Sequence, residues 1–181
     1  SADKLNSLLA RLGRYGPPRS DRAIRFDLAA AVDQVAERLG QAHPLTVLRA
    51  EPVTVEGSPE ALEQALTHLV QNAIDASDAD SSVMLEAYSD GVSGKVVVID
   101  NGQGMSPHFV RNRLFEPFVS SKSGGFGIGA FESRELVRSM GGRLDVQSRE
   151  GLGTRFTISL PLKSAASIIG RDLTHEKNEV A

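Results

Sequence analysis

The chain has 181 residues, 40% hydrophobic and 24% charged, with a formal net charge of −3 and a pI near 5.8, enough for one domain with a real core and unlike the basic stripe of a nucleic-acid binder. It has no cysteine, which excludes disulfides and thiolate metal sites, and its four histidines, His43, His68, His108 and His175, form no zinc spacing. No run of about 18 apolar residues offers a membrane span, and no secretory signal is read at its start.

Leu5, Leu8, Leu9 and Leu12 fall at helical spacing within residues 3–12. So short an amphipathic helix needs a partner. Either it packs on the domain or frays, or it is the end of a helical bundle continuing upstream; the abrupt start at Ser1 suggests a piece of a longer protein. Gly13 to Ser20, with Pro17-Pro18, reads as a linker. Ile24 to Phe26 reads as a short strand. Asp27 can cap the helix that follows, which lines one face with Leu28, Val32, Val35 and Leu39. Pro44 ends that unit. Residues 45–50 and 53–56 read as a strand pair around Glu51-Pro52, or as one bent strand.

Ser58-Pro59-Glu60 is a strong helix start: a cap, a first-turn proline and an acid at the positive end. Leu62, Ala65, Leu66, Leu69, Val70, Ala73 and Ile74 face the core. His68, Asn72 and Asp75 fall together on one flank of that stripe, at the edge of the core. An asparagine there needs a partner, which is either a structural hydrogen bond or a metal or ligand. Residues 83–89 and 95–100 read as two strands joined by a turn at 90–94.

The run Val96-Val97-Val98-Ile99 reads as a strand buried on both faces, and it leads directly into Asp100-Asn101-Gly102-Gln103-Gly104-Met105. Asp100 then lies at the strand's carboxyl end, where an acceptor-only carboxylate suits a ligand offering an N–H. The glycines allow a sharp turn and close approach. Residues 105–129 read as a long loop, functional or mobile, which Leu114-Phe115-Glu116-Pro117-Phe118 could pin down. Lys122 and the run Gly124 to Gly129 lead into a helix opened by Ala130, with Phe131, Leu136, Val137 and Met140 inward, ended by Gly141-Gly142. Such a loop is either an ordinary flexible connection or a phosphate cradle. Residues 144–148 and 155–160 read as a hairpin, and the tail beyond Pro161 as polar and disordered.

Taken in order, Asn72-Ala73, Asp100-x-Gly102-x-Gly104-Met105, Phe115-Glu116-Pro117-Phe118, Gly125-x-Gly127-x-Gly129 and Gly151-x-Gly153-Thr154 form a set. Over residues 22–162 the chain resembles the ATP-binding domain of the GHKL superfamily, which holds gyrase, Hsp90, MutL and histidine kinases. The Phe-Glu-Pro-Phe element and Ser120-Ser121-Lys122 are similar to the sensor histidine kinase branch. The spelling at 125–133 is similar to kinases of the exosortase/PEP-CTERM system of Gram-negative bacteria.

The resemblance implies an α/β fold, a two-layer sandwich with a mixed, mostly antiparallel sheet and helices on one face. ATP lies between the layers under a lid at about 105–129. Asp100 accepts from the adenine amino group and Thr154 supports a bridging water. Gly102, Gly104 and Met105 pass close to the base. Asn72 ligates Mg²⁺, with Asp75 nearby, since a hard cation that keeps several waters is satisfied by one amide oxygen. Lys122, Gly125, Phe126, Gly127, Ile128 and Gly129 surround the phosphates, where transfer needs mainly positioning and charge neutralisation. The resemblance further implies an upstream dimerisation bundle carrying the acceptor histidine, which residues 1–21 would end. It also implies a response regulator as partner, a homodimeric parent anchored in the inner membrane, and a cytoplasmic location for this domain.

In the hydrolysing relatives a glutamate stands four residues before the magnesium asparagine; here that position is His68. The expectation is weak intrinsic hydrolysis, with His68 either a helix-flank residue without chemistry or a participant in transfer. None of the four histidines has an acceptor's setting, so autophosphorylation is not expected of this chain alone. A nucleotide-gated interaction module, or an ATPase without phosphotransfer, is the alternative.

Overall fold

The computed structural model describes residues 23–117 and 129–162. The expectations for the helix at 3–12, the linker, Phe118, Lys122, Gly125, Phe126, Gly127, Ile128 and the tail from 163 fall outside the described residues. In chain order the elements are β1 (Ile24–Asp27), α1 (Leu28–Leu39), β2 (Leu45–Ala50), β3 (Thr54–Gly57), α2 (Pro59–Ala76), β4 (Val83–Ser89), β5 (Ser93–Asp100), α3 (Pro107–Asn112), α4 (Gly129–Ser139), β6 (Arg143–Arg149) and β7 (Gly153–Pro161).

Five strands form one sheet in the order β2-β4-β5-β7-β6. Only the β2–β4 pairing is parallel; the other three are antiparallel. The apolar run of β5 is therefore central. Alternation sends Val96 and Val98 to one face, with Val83, Leu85, Ala87, Phe156, Ile158, Leu160 and Leu144 of the neighbouring strands. These pack against Leu28, Val32 and Val35 of α1, Leu62, Leu66, Leu69 and Val70 of α2, and Val137 of α4. The result is a two-layer α/β sandwich with helices on one face of a mixed, mostly antiparallel sheet. On the other face Val97 is fully buried between Glu86 and Thr157 of its neighbours. That face also carries Met84, Tyr88 and Ile99, beside polar pairs: Arg155 lies 3.3 Å from Glu86 and Lys95 Nζ 2.7 Å from Ser159 Oγ. Among the described residues no helix is long and apolar enough to cross a membrane.

The caps act as the residue types dictate. Ser58 Oγ accepts from the Ala61 N–H at 3.2 Å and starts α2. Asp27 Oδ1 accepts from Ala29 at 3.2 Å and also from the Val53 N–H at 2.8 Å, so one carboxylate caps α1 and anchors the entry to β3.

Three expectations are corrected. Residues 45–50 and 53–56 are neither a strand pair nor one bent strand: β2 joins the main sheet, whereas β3 pairs antiparallel with β1 in a separate two-stranded sheet. Glu51-Pro52 is the crossing between them, and Glu51 donates its N–H to the Ala87 carbonyl at 2.9 Å. Within the long loop, Ser106 caps a six-residue helix, α3, too short to show periodicity. In α4, Val137 is buried and Leu136 and Met140 pack against the core as expected, whereas half-buried Phe131 does not join that cluster and Glu132 and Ser133 are buried.

Candidate functional site

Asp100 and Thr154 are register partners at the carboxyl end of β5 and the start of β7. Both are buried, at 5% and 7% exposure, and strand alternation turns both toward the helical layer. Asp100 Oδ1 accepts from the Gly102 N–H at 2.9 Å, which folds the chain back just after the strand. The hydroxyl of Thr154 lies 2.8 Å from Ser148 Oγ on β6. Ser148 Oγ also lies 2.9 Å from the Met105 nitrogen and 3.1 Å from the Gly153 carbonyl.

One hydroxyl has one proton and two lone pairs. Ser148 therefore accepts from the Met105 N–H, and its one proton can go to the Gly153 carbonyl or to Thr154 Oγ1, so either hydroxyl can donate in the Ser148–Thr154 bond. Thr154 Oγ1 keeps acceptor capacity in either arrangement. Two neighbouring buried acceptors, Asp100 and Thr154, suit a ligand amino group or a bridging water. Ser148 completes this arrangement, and a lone serine in a strand gives no sequence signal of it.

The two glycines after Asp100 are required by the chain itself. A Cβ on Gly102 would overlap the Ala76 carbonyl at the end of α2, and Gly104 has φ 66° with its Cα against the Arg149 carbonyl. Gln103 clasps both sides: its N–H donates to Ala76 O at 3.2 Å, and its carbonyl accepts from the Gly151 N–H at 2.7 Å. The segment carrying Met105, which is half-buried, thus bridges the end of α2 and the β6–β7 turn.

Along α2, His68 and Asn72 are half-buried, on the flank expected. Asp75 differs: it is exposed, and its carboxylate accepts from the Gln71 amide at 2.8 Å. One more turn along a helix of about 100° per residue carries it past the core's edge. Gly129, at the start of α4, comes close to this flank: a Cβ there would lie 3.6 and 3.7 Å from the two amide atoms of Asn72. Arg134 of α4 holds the apolar patch, with its guanidinium 4.7 Å from the Phe115 ring centre and its Nη2 donating to the Phe115 carbonyl at 3.4 Å. Leu114 is buried in the core.

Among the described residues no group of three His, Cys, Asp or Glu could hold a metal by itself. The donor set on this flank is an amide oxygen, which suits a hard cation taking its other ligands from phosphate and water.

A buried acid at the end of a central antiparallel strand, glycine turns behind it and an asparagine on the adjoining helix define a nucleotide-binding sandwich of the ATPase and kinase kind. The chain belongs to the histidine kinase-, DNA gyrase B-, and HSP90-like ATPase family, whose model matches residues 57–164. It is similar to the two-component sensor PprA of Pseudomonas aeruginosa, 33% identical over 182 aligned residues, covering 92% of this chain and 20% of that protein. The mycobacterial sensor histidine kinase MprB is similar in structure, with TM-score 0.69, 26% identity, and coverage of 77% of this chain and 97% of that one. Full-length ShkA in complex with AMPPNP is similar over 90% of this chain and 37% of that one, with TM-score 0.73 and 28% identity. The chain thus has the ATP-binding catalytic fold of sensor histidine kinases and spans only a small part of the curated relatives it matches.

Proposed function

We propose that this chain is the ATP-binding catalytic domain of a two-component sensor histidine kinase. It binds Mg-ATP and delivers the γ-phosphoryl group to a histidine on an upstream dimerisation bundle. The observation that carries this reading is the buried acceptor pair Asp100 and Thr154, facing the helical layer that holds Asn72.

In this reading Asp100 accepts from the adenine amino group, and Thr154 accepts from the water beside it. The turn at Gly102 and Gly104 brings Met105 to the edge of the base. Asn72 supplies one oxygen to Mg²⁺, whose charge offsets that building on the transferring phosphoryl. Gly129 lies at the phosphate end, and Lys122 and Gly125 to Ile128 belong to the same cradle by their place in the motif. Asp75, being exposed, is left a peripheral part. Residues 1–21 lead from the bundle, 22–162 are the catalytic domain and 163–181 a tail. The parent works as an inner-membrane-anchored homodimer that serves a response regulator, with this domain in the cytoplasm. The narrower kinship with exosortase-system kinases rests on the spelling at 125–133.

The test is transfer of label from γ-labelled ATP to an added upstream bundle carrying the acceptor histidine. Labelling of the bundle, and none of this chain alone, is the expected result. ATP binding without any labelling would replace the kinase reading with a nucleotide-gated interaction module. Steady ATP turnover without an acceptor would replace it with an ATPase.

A further inference from the structure

Helix α4 docks on α2 through its polar first turn. Ser133 is fully buried, and its hydroxyl lies 2.7 Å from the Gly129 carbonyl and 3.3 Å from the Ala65 carbonyl of α2. Glu132 is also buried, at 9% exposure, and its carboxylate lies 3.4 Å from His68 Nδ1. Gly129 sits against both Asn72 and His68: a Cβ on it would come 3.8 Å from the His68 Cβ and 3.6 Å from the Asn72 amide nitrogen. All three contacts fall on two turns of α2, between Ala65 and Asn72.

A buried carboxylate is costly unless it is paired, and an apolar side chain of similar volume often stabilises as well as a buried ion pair. Packing alone therefore does not account for Glu132. The positive end of α4 accounts for an acid being tolerated in its first turn, but not for its being aimed across the interface at His68. The neighbourhood adds a reason. His68 lies one helical turn before Asn72, and Gly129 is wedged against both.

We propose that Glu132 is a positioning residue for the metal and phosphate end of the site. Acting through His68, it fixes the first turn of α4 on α2 and so holds Gly129 in register with Asn72. The proposal rests on the reading of Asn72 as the Mg²⁺ ligand. It gives His68 a part in place of the glutamate of hydrolysing relatives: His68 orients the site and does not activate water. Groups that orient a metal ligand from behind typically change metal affinity by 10- to 100-fold when removed.

Calorimetry on this chain, with Mg-ATP and with ADP in the absence of metal, separates the outcomes. Glu132→Ala is expected to weaken Mg-ATP by about tenfold or more, while metal-free ADP, held at its adenine end, stays within about twofold. Glu132→Gln restores most of the Mg-ATP affinity, because it keeps the side chain's volume and a polar oxygen facing His68. His68→Ala removes the same contact from its more exposed partner and gives the same split, which covers the case in which Glu132→Ala fails to fold. Equal weakening of both ligands marks a merely structural contact and overturns the proposal, as does unchanged Mg-ATP affinity in either alanine variant. If the unmodified chain binds neither nucleotide, the reading of the pocket itself falls and takes the proposal with it.

Discussion

Thr154 Oγ1 and Ser148 Oγ are 2.8 Å apart across the β6–β7 hairpin, and this bond fixes the threonine hydroxyl beside its register partner Asp100. In either direction of this bond Thr154 Oγ1 keeps a lone pair beside the Asp100 carboxylate. Ser148→Ala removes the partner of both the Met105 N–H and the Thr154 hydroxyl. The expected loss is about 1–3 kcal/mol of stability, read from urea midpoints, with weaker ATP binding in the folded variant. A variant as stable as the parent would show that the serine holds nothing.

Gly104 and Gly91 make a controlled pair. Both have positive φ, but a Cβ on Gly104 meets the Arg149 carbonyl whereas one on Gly91 meets nothing within 4 Å. Gly91→Ala therefore carries only left-handed strain, about 1–2 kcal/mol. Gly104→Ala carries that strain and a backbone collision that parts Met105 from the hairpin, about 3 kcal/mol or more. Denaturant midpoints check the order; equal losses would contradict the close packing at Gly104.

Asp90 tests the electrostatics of the β4–β5 turn. Its carboxylate accepts from the backbone N–H groups of Ser93 at 2.7 Å and Val92 at 2.9 Å, with Lys95 3.2 Å away. Those bonds, the backbone ones first, lower its pKa to about 2 from 3.8. A depressed carboxylate contributes stability that is present above 3.8 and is lost as pH falls through about 2. The stability gap between the parent and Asp90→Asn should therefore hold from neutrality down to about pH 4 and close between there and about pH 2. A gap that grows on acidification would contradict this.

Much of the fold is legible in local chemistry. The β-branched run of β5, the cap at Ser58 and the apolar stripe from Leu62 to Ala73 each follow from period and residue type. The candidate site was legible only as an ordered set of motifs, since Asp100 and Thr154 meet through strand pairing over a long chain separation. What stayed hidden is long-range or too short to count. The partition of β2 and β3 into separate sheets depends on partners at β4 and β1. Helix α3 spans fewer than two turns. The burial of Glu132 and Ser133 follows only once α2 is laid beside them, and the exposure of Asp75 follows from how far α2 runs beyond the core.

Arg134 ties the apolar patch to α4 through the ring of Phe115 and its carbonyl. Arg134→Met keeps the hydrophobic stem and loses the cation–π contact and the hydrogen bond. The expected cost is about 1–2 kcal/mol, seen as faster hydrogen exchange of the amides at 114–116 ahead of any change in β5. Uniform acceleration across the domain would contradict a local tether.

The proposed function depends most on Asp100 as the floor of an ATP site. The most direct measurement is calorimetric binding of Mg-ATP to this chain and to Asp100→Asn, whose amide oxygen can still accept from Gly102. The parent chain is expected to bind, and a folded variant to lose about 10- to 150-fold, the worth of a hydrogen bond to a charged group. Equal affinity in the two proteins would contradict this role of Asp100.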